Sequence, residues 1–245
     1  MKKKSVIVIP ARYASSRFPG KPLAVIAGKP MIRHVWEKAV ASCADHVLIA
    51  TDDQRIADAV TAFGGVAVMT REDHPSGTDR IAEAVAKSGI DADIVINVQG
   101  DEPLMPSSVI DRLIHEMENA DWEMATVAVP AERGGLTADN VKVVTGVDGR
   151  ALYFSRAEIP FVRQGGVAAP VYLHWGIYAY RRDVLDRFVK LPAGILENSE
   201  KLEQLRALEN GISIKVIFSD LESIGVDTPA DIARAEAKLM ESIAK

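Results

Sequence analysis

The feature that most restricts how this chain folds is the alternation of short β-branched runs with amphipathic stretches over its first half. Residues 5–9 (SVIVI), 46–50 (HVLIA), 65–69 (GVAVM) and 94–98 (IVINV) are apolar-rich and bounded by turn or polar residues. Between them, residues 31–41, 54–63, 78–87 and 107–117 place apolar side chains at helical spacing. Near-continuous apolar strands separated by helices form a parallel sheet covered on both faces. The expectation is therefore an α/β, Rossmann-like, mostly parallel sheet flanked by helices. Asp53 or Asp52, Ser76 or Thr78, and Pro106 with Ser107 mark helix starts.

The pattern changes after about Pro130. Residues 141–145, 151–154 and 172–180 read as strands without long helices between them, and Gln164-Gly165-Gly166 reads as an exposed loop. An inserted antiparallel arm at about 130–180 accounts for this, and such arms commonly serve dimerisation. The α/β pattern resumes with a helix over residues 199–210 ended by Gly211, a strand over 212–218 and a last helix after Thr228-Pro229. The whole of 1–245 reads as one domain, a size that buries a sizeable core.

The segment after the first strand, IPARYASSRFPGKPL (residues 9–23), lies where open α/β sheets bind ligands, beyond the strand's carboxyl end. It puts Arg12, Arg17 and Lys21 close together in a chain of formal net charge -5. Small residues at Ala11, Ala14, Ser15 and Ser16 let backbone N–H groups approach a ligand, and Gly20 permits positive φ. Together these suit phosphate oxygens. The residues alone support a scattered basic surface loop equally well. Neither a P-loop nor G-x-G-x-x-G is present. The acidic balance gives no reason to expect nucleic acid. The single cysteine, Cys43, excludes a disulfide framework within the chain. The apolar run after Lys2-Lys3-Lys4 stops at Pro10, so no membrane insertion is expected and a cytoplasmic location is.

Carboxylates follow later strands. Gln99-Gly100-Asp101-Glu102 ends the fourth strand, where Asp101 is placed for a hard cation such as Mg²⁺ and Gly100 for close backbone approach. Asp227, just before the last helix, reads as a helix cap or as a second ligand. Thr51 and Asp52 end a strand on the same side, and Asp52 is the weaker candidate for a nucleotide contact. Ser76-Gly77-Thr78-Asp79-Arg80 opens a helix and offers free backbone donors, or an ordinary cap. His174 alone reads as a structural histidine and Glu203 as helix surface.

The loop segment resembles the signature of the sugar-activating cytidylyltransferases, specifically the CMP-Kdo (3-deoxy-manno-octulosonate) synthetase group. The similarity continues through ATDD (50–53), SGTDR (76–80), VQGDEP (98–103), ALYFSRAEIP (151–160), HWGIYAYR (174–181), LEQLRALENG (202–211) and GVDTP (225–229), in order along the chain. The resemblance implies Mg²⁺-dependent transfer of CMP from CTP to the anomeric hydroxyl of a 3-deoxy-2-keto sugar acid, serving lipopolysaccharide synthesis in a homodimer. It implies a metal held by Asp101 and Asp227, with Arg12 and Lys21 also catalytic. CTP is expected at Pro10, Ala11, Arg12, Ser15, Ser16, Arg17, Lys21, Thr51, Asp52, Ser76, Gly77, Thr78, Arg80, Gln99 and Gly100. The sugar acid is expected at Gln99, Arg156, His174, Tyr178, Glu203 and Gln204, with Arg163 as a further cation. The segment between Arg156 and His174 is short and has little polar content. That leaves an 8-amino sugar acid as an alternative substrate, with a sialic acid activator and a non-catalytic nucleotide-binding protein as further readings.

Overall fold

The computed structural model describes residues 3–14, 18–221 and 225–243. The chain runs β1 (Ser5–Ala11), a single 3-10 turn (Lys21–Leu23), β2 (Val25–Ile26), β3 (Lys29–Pro30), α1 (Met31–Val40), β4 (His46–Thr51) and α2 (Gln54–Ala62). Then come β5 (Ala67–Met69), α3 (Gly77–Ser88), β6 (Ile94–Asn97), α4 (Ser107–Asn119), β7 (Met124–Ala131), β8 (Lys142–Thr145) and β9 (Ala151–Ser155). The last part is β10 (Val171–Arg181), α5 (Arg182–Phe188), α6 (Ile195–Glu200), α7 (Gln204–Glu209), β11 (Ile214–Phe218) and α8 (Pro229–Ile243). The main sheet has the order β11-β7-β10-β6-β1-β4-β5, with β8 and β9 branching from β10.

Within that path only β10 is reversed. It pairs antiparallel with β6 and β7, whereas β1 pairs parallel with β4 and β6, and β11 parallel with β7. The expected mostly parallel α/β sheet is what forms. Val6 and Val8 of β1 enter one core with Ile81, Ala84 and Val85 of α3, while Ile7 and Ile9 enter the other with residues of α1 and α4. Both faces of β1 are thus buried, which is why its sequence is apolar without a break over residues 6–11 rather than at alternate positions.

The reversal of β10 places its first half beyond the end of β6. Tyr178 lies opposite Asn97, the last residue of β6, so residues 171–177 extend over the carboxyl ends of the parallel strands. A bulge between Trp175 and Tyr178 shifts the register against β7 at that point. Bulges of this kind re-aim side chains at the rim of a site.

Three parts of the sequence reading change. The helix expected over residues 199–210 is two short helices, α6 and α7, separated at Lys201, which adopts positive φ (53°). The carbonyls freed by that break are taken by Arg156, whose Nε donates to Glu200 O (2.7 Å) and whose Nη2 donates to Lys201 O (3.3 Å). β7 and α5 lie outside the elements read from the sequence, although β7 is an interior strand of the sheet, between β11 and β10. Finally, the strand at 65–69 shortens to three residues.

Candidate active site

Three strand ends, β1, β4 and β6, converge with the start of α3 on one edge of the sheet. The loop leaving β1 folds back so that Gly20 N–H donates to Tyr13 O (2.8 Å), and Gly20 has φ 71°. A side chain there would meet the Tyr13 ring at 3.2 Å, so both the backbone angle and the space call for glycine. Lys21 follows at once. A cleft of about 410 Å³ opens here, lined among others by Pro10, Ala11, Arg12, Lys21, Gln99 and Asp101. Ala14, Pro22, Gly77 and Gly100 complete its wall. At Gly100 a Cβ would stand 2.6 Å from Pro10 O, so β1 and the turn after β6 approach as closely as backbone allows.

Lys21 is the electrostatic centre of the cleft. Its ammonium lies 2.6 Å from Asp101 Oδ2 and 3.5 Å from Asp227 Oδ1, with its side chain 14% exposed. Asp227 comes from a segment far away in sequence, tied to the site by Val226 N–H donating to Asp101 O (2.9 Å). The alternative reading of Asp227 as the cap of α8 is answered by the neighbouring geometry. Asp231 Oδ2 accepts from the N–H groups of Asp227 (3.1 Å) and Thr228 (2.9 Å) and from the Thr228 hydroxyl (2.9 Å). Asp231 does the capping, and the Asp227 carboxylate faces Lys21.

The other wall is built by α3. Ser76 caps it, its Oγ accepting from Asp79 N–H (3.2 Å) and donating to the Asp79 carboxylate (2.6 Å). Thr78 donates to Glu203 Oε2 (2.6 Å). Arg80 is fully buried and donates to Asp52 Oδ2 and Thr70 Oγ1, each at 2.6 Å. Burial pulls its pKa below the usual guanidinium value, Asp52 opposes that, and the nearby Arg12 adds repulsion. Arg12 Nη2 donates to the His74 carbonyl (2.8 Å). Thr51 is buried, with its Oγ1 accepting from Asp53 N–H (3.2 Å). Asp52, Thr51 and Arg80 therefore support the cleft from beneath rather than lining it. Ser15, Ser16 and Arg17 fall outside the described residues.

Beyond Gln99 a second group of expected residues assembles. Gln99 Nε2 donates to Gly176 O (3.1 Å) at the β10 bulge. His174 Nε2 donates to the Thr126 hydroxyl (3.0 Å), which itself donates to Ile177 O (2.8 Å). The imidazole packs edge-on against Phe154 and tilted against Tyr178, with centroids 5.1 and 5.2 Å away. Burial pulls its pKa down to about 3, so it is neutral. Burial, helped by Tyr180 and Glu203, holds the Tyr178 phenol protonated, with its pKa raised. Gln204 is buried, and Glu203 Oε1 is a buried acceptor with no partner among the described residues.

Arg156 departs from expectation. Three of its donors are taken by main-chain carbonyls of Ala138, Glu200 and Lys201, and its own N–H donates to Glu200 Oε2. In this geometry it staples the α6–α7 break to the arm instead of presenting its whole guanidinium to a carboxylate. Arg163 has no resolved role in the cleft. His74 and Glu83, which hold the loop before α3, were not legible as site residues. Their one signal is adjacency to SGTDR.

A cleft that sets Arg12 and Lys21 beside Asp101 at the strand ends of a mostly parallel sheet, with a polar recess next to it, has the layout of a nucleotide-dependent transferase. The family model for cytidylyltransferases matches residues 6–216, and the chain belongs to that family. A 3-deoxy-manno-octulosonate cytidylyltransferase of Syntrophobacter fumaroxidans is 54% identical over 231 residues, covering 92% of each chain. An 8-amino-3,8-dideoxy-manno-octulosonate cytidylyltransferase of Shewanella frigidimarina is 51% identical over 242 residues, covering 96% of this chain and 98% of its own. A solved CMP:2-keto-3-deoxy-manno-octonic acid synthetase in complex with CTP superposes with TM-score 0.93 at 45% identity, covering 98% of this chain and 99% of that one. A putative glucose-1-phosphate thymidylyltransferase of Bacillus anthracis, at 16% identity and TM-score 0.66, shares the fold.

Proposed function

We propose that the chain transfers CMP from CTP to the anomeric hydroxyl of 3-deoxy-manno-octulosonate, releasing pyrophosphate. The observation that carries this reading is the convergence of Lys21, Asp101 and Asp227 on a cleft whose floor is bare backbone, where Gly100 packs directly on Pro10 O. The hydroxyl oxygen of the sugar acid bonds to the α-phosphorus, the bond to the bridging oxygen breaks, and pyrophosphate leaves with that electron pair. The hydroxyl proton passes to solvent. Arg12 and Lys21 neutralise the triphosphate, and the charge growing on pyrophosphate is met by groups already in place, as positioning-dominated catalysis requires.

The donor set fits Mg²⁺. Asp101 and Asp227 both reach one cation, here the Lys21 ammonium, and among the described residues no third acidic, histidine or cysteine side chain joins them. A hard ion with two carboxylates completes its shell with water and phosphate oxygens. When bound, Mg²⁺ supplies charge neutralisation and acidifies the attacking hydroxyl. Glu203 Oε1, buried without a partner, and Gln99 suit the hydroxyls of a sugar acid. Phe161 and Val167, exposed apolar side chains on the 156–170 segment, support a homodimer formed through the arm. A cytoplasmic role in lipopolysaccharide synthesis follows from the product. No helix among the described residues is long and apolar enough to cross a membrane.

The 8-amino sugar acid is the second reading, favoured by relatives of that name at similar identity. Pyrophosphate release measured with CTP, UTP and ATP against 3-deoxy-manno-octulosonate, its 8-amino analogue and sialic acid tests both readings. The first predicts turnover with CTP and the 8-hydroxy acid, and loss of that turnover with EDTA. Preference for the 8-amino acid would replace it with the second.

A further inference from the structure

Arg12 reaches the cleft beside another cation, the buried Arg80, whose pKa it helps to lower. A guanidinium so placed is pushed away from the ligand side of its neighbour unless something anchors it. The anchor is a single main-chain carbonyl, that of His74, at 2.8 Å. His74 is itself 6% exposed, and among the described residues its ring makes one side-chain hydrogen bond, between Nε2 and Glu83 Oε2. Its Nδ1 is buried with no partner among the described residues, so the ring is held from one side only.

Glu83 is a clasp. The oxygen that meets the His74 ring also accepts the Arg71 N–H (3.0 Å), while Oε1 lies 2.7 Å from Lys87 Nζ. The hydrogen bonds it accepts hold its carboxyl down at about 2 against the opposing effect of burial, so it is ionised. The loop from Arg71 to Ser76 is therefore fixed at both ends to one helix, by Glu83 in the second turn and by the Ser76 cap at its start. Both substrate-side features of that loop, the His74 carbonyl and the start of α3, keep a fixed spacing because they share this support.

We propose that Glu83, acting through the His74 ring, is a positioning residue that aims Arg12 at the triphosphate. This rests on the reading of Arg12 as a triphosphate ligand. Glu83 touches no reacting atom, and its effect should fall on the nucleotide alone.

The test is steady-state pyrophosphate release on the full chain, with CTP and the sugar acid varied separately, for Glu83→Ala, Glu83→Gln, Arg12→Ala and the Glu83→Ala/Arg12→Ala double variant. Losing the charge-assisted anchor should raise KM for CTP about tenfold while KM for the sugar acid moves less than about twofold. Glu83→Gln keeps an acceptor for the ring and should recover most of the loss. In the Arg12→Ala background the Glu83→Ala effect should shrink to less than about twofold, since residues acting as one unit are not additive. Lys87→Ala, which removes the contact on the far oxygen, should leave both KM values unchanged. Equal effects on both substrates, or a Glu83 effect that persists in full without Arg12, would overturn the relay. If Glu83→Ala does not fold, His74→Phe, which keeps the ring but removes the Nε2 donor, enters the same cycle with the same expectations. If Arg12→Ala leaves KM for CTP unchanged, the reading of Arg12 falls instead. If Arg12→Ala raises it and Glu83→Ala does not, only the relay falls.

Discussion

Replacing His174 with glutamine should make the stability of the ligand-free protein less dependent on pH. The ring is packed between Phe154 and Tyr178 and is held neutral, with its pKa near 3 against 6.5 for an exposed imidazole. The folded pKa of this base is depressed, so as pH falls through 6.5 the unfolded chain binds a proton that the folded chain refuses. Stability is lost on going down in pH, over the window between the two values, and the contribution is complete above about pH 7. At pH 5.5 the unfolded state gains about 1.4 kcal/mol from this group and at pH 7.5 about 0.1, a net loss of about 1.3 kcal/mol. That figure does not depend on the folded value so long as it lies well below 5. The glutamine variant loses the ring contacts and should be less stable at pH 7.5 by about 2 kcal/mol. Its deficit should shrink by about 1.3 kcal/mol at pH 5.5. The other four of the five histidines are common to both proteins and cancel. Urea unfolding followed by tryptophan fluorescence at pH 7.5, 6.5 and 5.5 measures the difference. A deficit that stays constant, or grows, as pH falls would refute a neutral imidazole packed at this position.

Other substitutions test separate links. Asp101→Asn should abolish turnover while the melting temperature stays near the parent value, and near-normal pyrophosphate release at saturating Mg²⁺ would remove Asp101 from the metal site. Lys21→Met removes the ammonium that both Asp101 and Asp227 face, and kcat/KM for CTP should fall by about 100-fold, the scale of losing one preorganised electrostatic partner. Gly100→Ala forces a Cβ to within 2.6 Å of Pro10 O and should cost about 1–3 kcal/mol of stability together with most CTP affinity, both readable by thermal shift with and without nucleotide. Lys142→Met leaves the carbonyls of Thr137, Asn140 and Arg156 without their shared buried ammonium, which should lower stability by about 3 kcal/mol in urea unfolding.

What the sequence determined by itself was local. The runs at residues 6–9 of β1 and 94–96 of β6 are apolar without alternation because both faces are covered, and that pattern needs no partner to be read. Gly20 ahead of Lys21, a cap for α2 at Asp53 or Asp52 and one for α3 at Ser76 or Thr78 are short-range rules of backbone geometry, and the structure takes Asp53 and Ser76. The resemblance added which motifs share a site. Tertiary structure decided whatever depends on neighbours remote in sequence. The α6–α7 break is favourable because Arg156, about 45 residues earlier, takes the freed carbonyls, and helical spacing carries no sign of it. β7 becomes an interior strand because the reversed β10 pairs with one side of it and β11 with the other, and the reversal of β10 carries His174 over the strand ends. Asp227 and Asp231 are both acidic residues near a helix start. Only the packing of Val226 against Asp101 turns one toward Lys21 and leaves the other to cap. His74 and Glu83 acquire a role only once their loop is folded against Arg12, because a contact spanning 62 residues between a carbonyl and a guanidinium leaves no local pattern in the chain.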